Sequence, residues 1–239
     1  MNKAFITNSP EAKTLKTRLY QLIEHSQELK FLVGFFYFSG WKEIYEALKD
    51  RDDVCFKILV GLQVDHVLGK TLEFSNDENN LSADEKADRF FASLGKALNN
   101  EDLDIQPFYE QVDFFVRMIE EERLIIRKTL EPNHAKLYLF KIKAELAGLT
   151  KAKFITGSSN LTKAGISEQN EFNVEIGDYG TDEAEEYFDA LWDCAVKITE
   201  NDYRRQTMID IIYNKTQAAT VTPFEGYAMA LKNYLEIQE

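Results

Sequence analysis

The sequence predicts an α/β fold: a mixed, mostly buried β-sheet flanked by helices on both faces. Two observations favour this class. First, residues 29–36 and 54–60 are short runs of apolar residues, many of them β-branched or aromatic, which is the composition of buried strands. Second, residues 40–48 lie between these runs and carry apolar side chains at helical spacing. A strand–helix–strand order of this kind predicts two parallel strands joined by a crossover helix.

The other elements follow from the same kinds of spacing. Ser9-Pro10-Glu11 is a favourable helix start, because serine caps a first turn and proline fits its first position, and this helix is predicted to end near Ser26. Residues 107–121 mix aromatic and acidic side chains and are ambiguous between strand and helix. Further strands are predicted at 123–129, 134–140, 154–157 and 171–176. Further helices are predicted at 82–98, 182–199 and 203–214, and from Thr222 to Glu239.

No internal repeat or low-complexity linker divides the chain. One α/β domain over residues 1–200 is therefore predicted, followed by a helical C-terminal extension over residues 201–239. The aromatic residues, 13% of the chain, are far too many for a disordered protein, and the length is sufficient to bury a substantial core.

Composition also limits the chemistry and the location of the protein. Cys55 and Cys194 are the only cysteines and there are three histidines, so neither a disulfide framework nor a metal centre is predicted, and no cofactor is expected. No apolar run approaches the roughly 20 residues that span a bilayer, and the first residues lack a signal peptide. These features predict a cytoplasmic protein that does not act in a membrane.

The chain is acidic, with a net charge of −13, but its charge is unevenly distributed. Residues 123–163 contain nine basic and two acidic residues, a balance of +7, so the remainder carries −20. Overall acidity argues against a general polyanion binder, whereas a local basic segment can hold a phosphate group. The alternative interpretation is a solvated hairpin with lysines on its outer face.

A His-x-Lys pair lies at the start of the predicted strand 134–140. Alternation in a strand places His134, Lys136 and Tyr138 on one face, while the alternate apolar residues face the core. An imidazole can attack phosphorus or donate a proton, and an ammonium can neutralise phosphoryl oxygens. The two together therefore favour a phosphate site, although a lone histidine in a strand is more often structural.

A Gly-Ser-x-Asn turn follows the predicted strand 154–157. Ser158 and Asn160 offer a hydroxyl and an amide to an anion, together with the backbone N–H groups of the turn, although the same residues also suit a helix N-cap. In the next predicted strand, Glu171, Asn173 and Glu175 share a face. A carboxylate there could bond the far nitrogen of His134 and fix its tautomer, with Glu175 a weaker competitor of Glu171.

The order of these elements, with a glutamate eleven residues after the asparagine, resembles the phospholipase D superfamily. The resemblance implies a phospholipase D-like fold and a phosphodiesterase site in which two such motifs, from two halves or two subunits, meet. It further implies that His134 is the nucleophile that forms a phosphohistidine and that its counterpart in the other motif is the leaving-group acid. Lys136 and Asn160 would hold the phosphate, Ser158 would support it, and Glu171 would orient His134.

The resemblance extends beyond this motif. Residues 35–41 and 58–62 are similar to the start of the phospholipase D-like domains that precede superfamily 2 helicases, and residues 222–227 are similar to the joint before such a helicase. This implies that the chain is an N-terminal module of a longer protein that carries a helicase region.

Two features depart from the superfamily pattern. The full motif has an aspartate five residues after the lysine, and this chain has Lys141 there. The interval from His134 to Asn160 is also longer than in compact members, and residues 141–152 fill it as a predicted hairpin. The hairpin could contact a polynucleotide backbone or could be a variable loop.

The chain has one His-x-Lys pair, because neither His25 nor His66 is followed by lysine two residues later. A single copy implies that two chains supply one site across a two-fold axis, so a homodimer is expected and a monomer should be inactive. The predicted function is a metal-independent phosphodiesterase, a nuclease acting on DNA as an accessory domain of a helicase. The alternative is a catalytically silent nucleic-acid-binding or targeting module. A lipid-cleaving phospholipase is disfavoured, because the sequence has no amphipathic membrane element.

Overall fold

A computed structural model of the chain describes residues 5–8, 14–62, 81–99, 106–148, 150–177 and 179–216. The strands are β1 (Phe5–Ile6), β2 (Ser26–Val33), β3 (Cys55–Val60), β4 (Leu124–Lys128), β5 (Leu137–Ile142), β6 (Ala152–Gly157), β7 (Asn173–Ile176) and β8 (Val196–Lys197). They form one sheet in the order β1-β7-β6-β5-β2-β3-β4-β8. β2, β3 and β4 run parallel to one another, and the other neighbouring pairs are antiparallel.

Helices cover both faces of the sheet, as the sequence predicted. They are α1 (Leu15–Glu24), α2 (Phe38–Leu48), α3 (Ala83–Asn99), α4 (Gln106–Glu120), α5 (Ala144–Ala147), α6 (Thr181–Cys194) and α7 (Asp202–Thr216), with a π-helical turn at Ala164–Glu168. Buried residues of α1, α2, α3, α4 and α7 pack on one face, and those of α6 pack on the other. None of the described helices is long and apolar enough to cross a bilayer.

The larger core is built on alternate residues of the central strands. Phe31 in β2 and Ile58 in β3 are fully buried on the side of α1–α4 and α7, while their neighbours Leu32 and Leu59 are fully buried on the side of α6. This alternation follows from the two-residue period of a strand with both faces covered. Phe31 also makes edge contacts with Phe56, Tyr138 and Phe140.

Charged side chains on the α6 face are paired across elements. Arg127 of β4 stacks on Trp192 at 4.4 Å and binds both carboxylate oxygens of Glu200, at 2.5 and 2.7 Å. Buried Lys30 of β2 donates to Glu185 and Asp189 of α6, at 2.6 and 2.7 Å. Such pairing lets charged groups sit beside a core, because an isolated buried charge would be costly.

The predicted parallel pair with a crossover helix is confirmed, because β2 and β3 run parallel with α2 between them in the chain. The ambiguous segment 107–121 is helix α4. Its buried residues Val112, Phe115 and Ile119 recur at helical spacing. The acidic residues Glu110, Asp113 and Glu120 of the same helix are exposed.

Two predicted boundaries were wrong, and a third falls on residues that the structure does not describe. Helix α1 begins at Leu15 with Thr14 as its N-cap, and the predicted start at Ser9 lies outside the described residues. The predicted helix 182–199 ends at Cys194, because residues 196–197 turn back to pair with β4. β5 begins at Leu137, so His134 and Lys136 precede the strand.

Helix α7 packs on α3 and α4, and its residues Met208, Ile209 and Ile212 belong to the larger core. The helix predicted at 203–214 is thereby confirmed. Residues 217–239 lie outside the described part of the chain, so the predicted helix from Thr222, the similarity at 222–227 and the division at residue 200 stay predictions.

Candidate active site

The sequence-predicted site residues converge at one end of the sheet. In the antiparallel pair of β2 and β5, Leu32 lies opposite Leu137, and in the pair of β5 and β6, Leu137 lies opposite Thr156. The end of β2, the start of β5 and the end of β6 therefore meet. His134, three residues before β5, and the turn that begins at Gly157 therefore lie close together in space.

His134 is exposed and is held by its neighbour Asn133. The Asn133 N–H donates to the carbonyl of Gly61 at 3.0 Å, and its Oδ1 accepts from the N–H of Ala135 at 2.8 Å. Its Nδ2 donates to the hydroxyl of Tyr187 at 3.1 Å. This side-chain-to-backbone turn, anchored on β3 and α6, fixes the backbone on both sides of His134.

Lys136 is buried and its ammonium lies against the His134 ring. Its Nζ is 2.9 Å from Nδ1 and 3.0 Å from Nε2 of His134, and it donates to the His134 carbonyl at 2.8 Å. Thr156 of β6 donates its hydroxyl to the Lys136 carbonyl at 2.8 Å. An imidazole and an ammonium in contact at an exposed sheet end are placed to act on a single phosphate.

Asn160 reaches the same place from the opposite side. Its Oδ1 accepts from the N–H of Phe35 at 3.2 Å. A β-carbon on Gly34 would lie 3.0 Å from that oxygen and 3.5 Å from Cδ2 of His134. Gly34 therefore leaves the space in which the imidazole and the amide approach each other.

Ser158 and Glu171 are joined directly. The Ser158 hydroxyl donates to the Glu171 carboxylate and accepts from the N–H of Phe172 at 3.1 Å. The Ser158 N–H donates to the Phe172 carbonyl at 3.3 Å. The described contact of Glu171 is thus with Ser158, and its predicted role in orienting His134 stays a prediction.

The competitor Glu175 is committed elsewhere. Arg18 of α1 donates to both of its carboxylate oxygens, at 2.6 and 2.5 Å, and Lys153 lies 3.6 Å away. A bidentate arginine pair of this kind is structural, holding α1 against β7. Glu171, two residues before β7, is therefore the glutamate that lies beside the Gly-Ser-x-Asn turn.

A buried polar network supports the turn from below. Asn173 accepts from the Ser159 N–H at 3.3 Å and donates to the Ser159 hydroxyl at 2.9 Å. The Tyr138 hydroxyl donates to the Ser159 carbonyl at 2.8 Å. Burial, with a smaller contribution from the charge of Glu171, raises the pKa of the Tyr138 hydroxyl far above its usual value, so it remains a donor.

Tyr138 corrects one sequence-based expectation. The prediction put it on an open face with His134 and Lys136, but it is fully buried in the larger core. The reason is that helices cover both faces of β5, whereas His134 precedes the strand and lies beyond that cover.

The basic hairpin lies at the other end of the strands from His134. Lys141 is four residues beyond Leu137, a separation of about 13 Å along β5. Its Nζ pairs with Glu185 at 2.7 Å, and Lys143 pairs with Asp53 at 2.7 Å. Position 141, where the superfamily motif has an aspartate, is therefore remote from the predicted phosphate-binding residues.

Gly61 and Lys128 support the loop that carries His134, and the sequence did not identify either of them as part of the site. Gly61 meets the loop so closely that a β-carbon would lie 1.8 Å from the Asn133 carbonyl oxygen. Lys128 is buried beneath this loop and donates to the Gly61 carbonyl at 3.0 Å. The available signal was a glycine directly after β2 and after β3, at Gly34 and Gly61, because sites form at the carboxyl ends of parallel strands.

The arrangement combines an imidazole, a cation and hydrogen-bonding groups at one end of the sheet. Across the described ranges, no group of three or more His, Cys, Asp or Glu side chains is placed to hold a metal ion. An exposed imidazole, a neighbouring ammonium, an amide and a serine hydroxyl can bind a phosphodiester and form a bond to its phosphorus.

Comparisons with known proteins identify the family. A family model described as the phospholipase D-like domain of cardiolipin synthase matches residues 19–192, and no curated protein sequence matches the chain. Nuc, a phospholipase D family member from Salmonella typhimurium, is 14% identical over 81% of this chain and 95% of its own, with a TM-score of 0.41. NucT from Helicobacter pylori is 12% identical over 77% and 90%, with a TM-score of 0.40.

A phosphatidylserine synthase from Haemophilus influenzae Rd KW20 is 12% identical over 90% of this chain and 45% of its own, with a TM-score of 0.49. The family match covers well over half of the sequence, from α1 through most of α6, and includes every residue of the candidate site. The chain therefore belongs to the phospholipase D-like family.

Proposed function

We propose that the protein is a metal-independent phosphodiesterase, a nuclease that cleaves DNA through a covalent phosphohistidine in a site shared by two copies of the chain. The observation that carries this proposal is the contact between the His134 imidazole and the Lys136 ammonium, at 2.9 Å, beside Asn160. Membership of the phospholipase D-like family supports phosphodiester chemistry at this place.

The reaction proceeds in two displacements. A ring nitrogen of His134 attacks phosphorus, a phosphorus–nitrogen bond forms, and the phosphorus–oxygen bond to the leaving strand breaks. The histidine of the second copy gives its proton to that leaving oxygen, then takes a proton from the water that attacks the phosphohistidine and restores His134. Lys136 and Asn160 bind the non-bridging oxygens, where negative charge is concentrated.

A second copy is needed because no other histidine of the described residues is near His134. His25 follows α1, and its carbonyl accepts from the N–H of Lys143 at 2.9 Å, so it lies at the opposite end of the sheet with the hairpin. His66 lies outside the described residues. A two-fold axis through the sheet end that carries His134 would bring two imidazoles to one phosphate.

We propose DNA as the substrate because residues 35–41 and 58–62 resemble helicase-associated domains. In this proposal the protein acts in the cytoplasm as an accessory domain of a helicase. The lysine at position 141 does not count against activity, because its ammonium pairs with Glu185 far from the site. The proposed activity is therefore compatible with Lys141 in place of the aspartate of the superfamily motif.

Hydrolysis of DNA in excess EDTA tests the proposal. Single- and double-stranded substrates are incubated with wild type, with His134→Ala and with His25→Ala, which removes an exposed histidine at the other end of the sheet. We expect cutting by wild type and His25→Ala and none by His134→Ala. Binding without cutting by a verified dimer would instead support a silent targeting module. Cutting that requires added metal, or cleavage of bilayer lipids in place of DNA, would contradict the proposal.

The shared site has its own test. Inactive His134→Ala subunits are mixed in increasing excess with a fixed amount of wild type, and dimers are allowed to exchange. Because each site would need histidines from both chains, activity per wild-type chain should fall as mixed dimers form. Constant activity, in samples whose subunit exchange is verified, would contradict a shared site.

A further inference from the structure

Two exposed phenylalanines form a pair beside the candidate site. Phe172 is 60% exposed and Phe5 is 55% exposed, and their ring centroids are 5.2 Å apart with an angle of 30° between the planes. Phe5 lies on β1, which pairs with β7 next to Phe172. Contact between large apolar side chains and water is unfavourable, so an adjacent exposed pair favours a binding surface.

The backbone of Phe172 is fixed to the predicted phosphate-binding turn. Its N–H donates to the Ser158 hydroxyl at 3.1 Å, and its carbonyl accepts from the Ser158 N–H at 3.3 Å. A β-carbon on Gly157 would lie 2.3 Å from that carbonyl oxygen, so the two segments are in direct contact. Phe172 also directly follows Glu171, and its ring is therefore anchored at the rim of the site.

We propose that Phe172 and Phe5 stack on unpaired bases of a single-stranded nucleic acid whose phosphate occupies the His134 site. The proposal rests on the proposed function and names its substrate class. Aromatic side chains beside phosphate-binding groups are the usual means of holding single strands, because every base has a π-face. In a duplex those faces are stacked against neighbouring base pairs and do not reach an external ring.

The size of the pair favours bases over a second copy of the chain. A stable protein interface buries about 800 Å² on each partner. Two partly covered phenylalanine rings offer far less, since a whole aromatic side chain buries about 150–250 Å². The surface of the pair suits one or two bases.

Binding measurements in a His134→Ala background test the proposal without cleavage. Fluorescence anisotropy compares a labelled single-stranded oligonucleotide, the same oligonucleotide with abasic sites, and a duplex. The variants are Phe172→Ala, Phe172→Leu, which keeps an apolar side chain without a π-face, and Phe172→Trp. Tyr203→Ala removes an aromatic side chain that is 79% exposed on α7, away from β1 and β7, and is the matched control.

We expect Phe172→Ala and Phe172→Leu to weaken binding of the intact single strand roughly tenfold, and Phe172→Trp and Tyr203→Ala to leave it within about twofold. Affinity for the abasic strand and the duplex should not change. Unchanged affinity of Phe172→Ala for the intact strand, or an equal loss on the abasic strand, would overturn the proposal. So would dissociation of the dimer by Phe172→Ala in sedimentation, which would assign the pair to the subunit interface. Absence of DNA cutting by wild type would count against the proposed function alone, because anisotropy measures binding.

Discussion

Gly34 faces Asn160 so closely that a β-carbon at position 34 would lie 3.0 Å from the Asn160 Oδ1. The same oxygen accepts from the backbone N–H of Phe35 at 3.2 Å. The Asn160 side chain therefore joins the Gly-Ser-x-Asn turn to the segment after β2, and Gly34 leaves the space for that contact. Position 34 belongs to the site although it has no reactive group of its own.

We expect Gly34→Ala to lower the rate of DNA hydrolysis at least about tenfold, because the methyl group pushes the Asn160 amide and His134 away from their phosphate-binding positions. Stability should change little, since a 3.0 Å contact is relieved by a shift of a few tenths of an ångström. Initial rates in EDTA and a thermal unfolding curve measure the two effects.

Gly95→Ala is the control for this substitution. Among the described residues, a β-carbon there would meet only Ile211, at 3.8 Å, and Gly95 lies inside helix α3. Alanine should therefore stabilise the protein by about 0.5–1 kcal/mol and leave the hydrolysis rate unchanged. Equal rate losses in both variants would contradict a specific role for Gly34.

Asn133→Ala should reduce kcat roughly tenfold with little change in KM, because the turn that fixes the backbone around His134 loses its Oδ1 acceptor. Asn133→Asp keeps an acceptor for the Ala135 N–H and should restore most of the rate. Tyr187→Phe removes the other partner of Asn133 and should have a smaller effect. Steady-state kinetics of the three variants distinguish positioning of His134 from a general loss of structure, which Asn133→Asp would not reverse.

Tyr138→Phe should lower the free energy of unfolding by about 1–3 kcal/mol, because the carbonyl of Ser159 loses its buried donor. Tyr203→Phe removes an exposed hydroxyl and should be neutral. Urea unfolding curves measure both. A Tyr138→Phe variant as stable as wild type would mean that the Ser159 carbonyl finds another donor.

Glu185→Gln should flatten the acid limb of the stability curve. Burial would raise the pKa of Glu185, but hydrogen bonds from Lys141 and Lys30 outweigh it and lower that pKa. A lowered pKa in the folded state contributes stability that is complete above the unfolded pKa, about 4.3, and is lost as the pH falls through the folded pKa. Wild type should therefore lose more stability than Glu185→Gln between about pH 5 and pH 3.

The control for Glu185→Gln is Glu186→Gln, an exposed carboxylate on the same helix. Urea unfolding at several pH values gives the free energy of unfolding for each protein. Parallel pH profiles of wild type and Glu185→Gln would refute the role of the Lys30–Glu185 pair.

Local patterns in the sequence were sufficient for the parts of the fold that depend on neighbours in the chain. The crossover between β2 and β3 and the Gly-Ser-x-Asn turn follow from runs of 5–10 residues. The alternation of residues 134–140 could not reveal that both faces of β5 are covered, because burial of Tyr138 depends on α1–α4 packing from elsewhere.

Contacts between residues distant in the chain were beyond prediction. Asn133 and Tyr187 are hydrogen-bonded across 54 positions, and Phe35 and Asn160 across 125. Similarly, the charge of the basic segment did not reveal that Lys141 and Lys143 have carboxylate partners on other elements. Such pairs depend on how the helices and strands pack, and hydrophobic spacing carries no information about them.

In the part of the chain that the structure describes, the two outermost strands of the sheet have two residues each, β1 at Phe5–Ile6 and β8 at Val196–Lys197. Long open edges template aggregation and strand-to-strand association between molecules, and very short edge strands are one way in which proteins prevent it. Continuation of the sheet from one molecule to the next is therefore unfavourable. In the proposed dimer, contact through side-chain surfaces is then favoured over edge pairing, and the strand ends beside His134 and Asn160 are free to face one another.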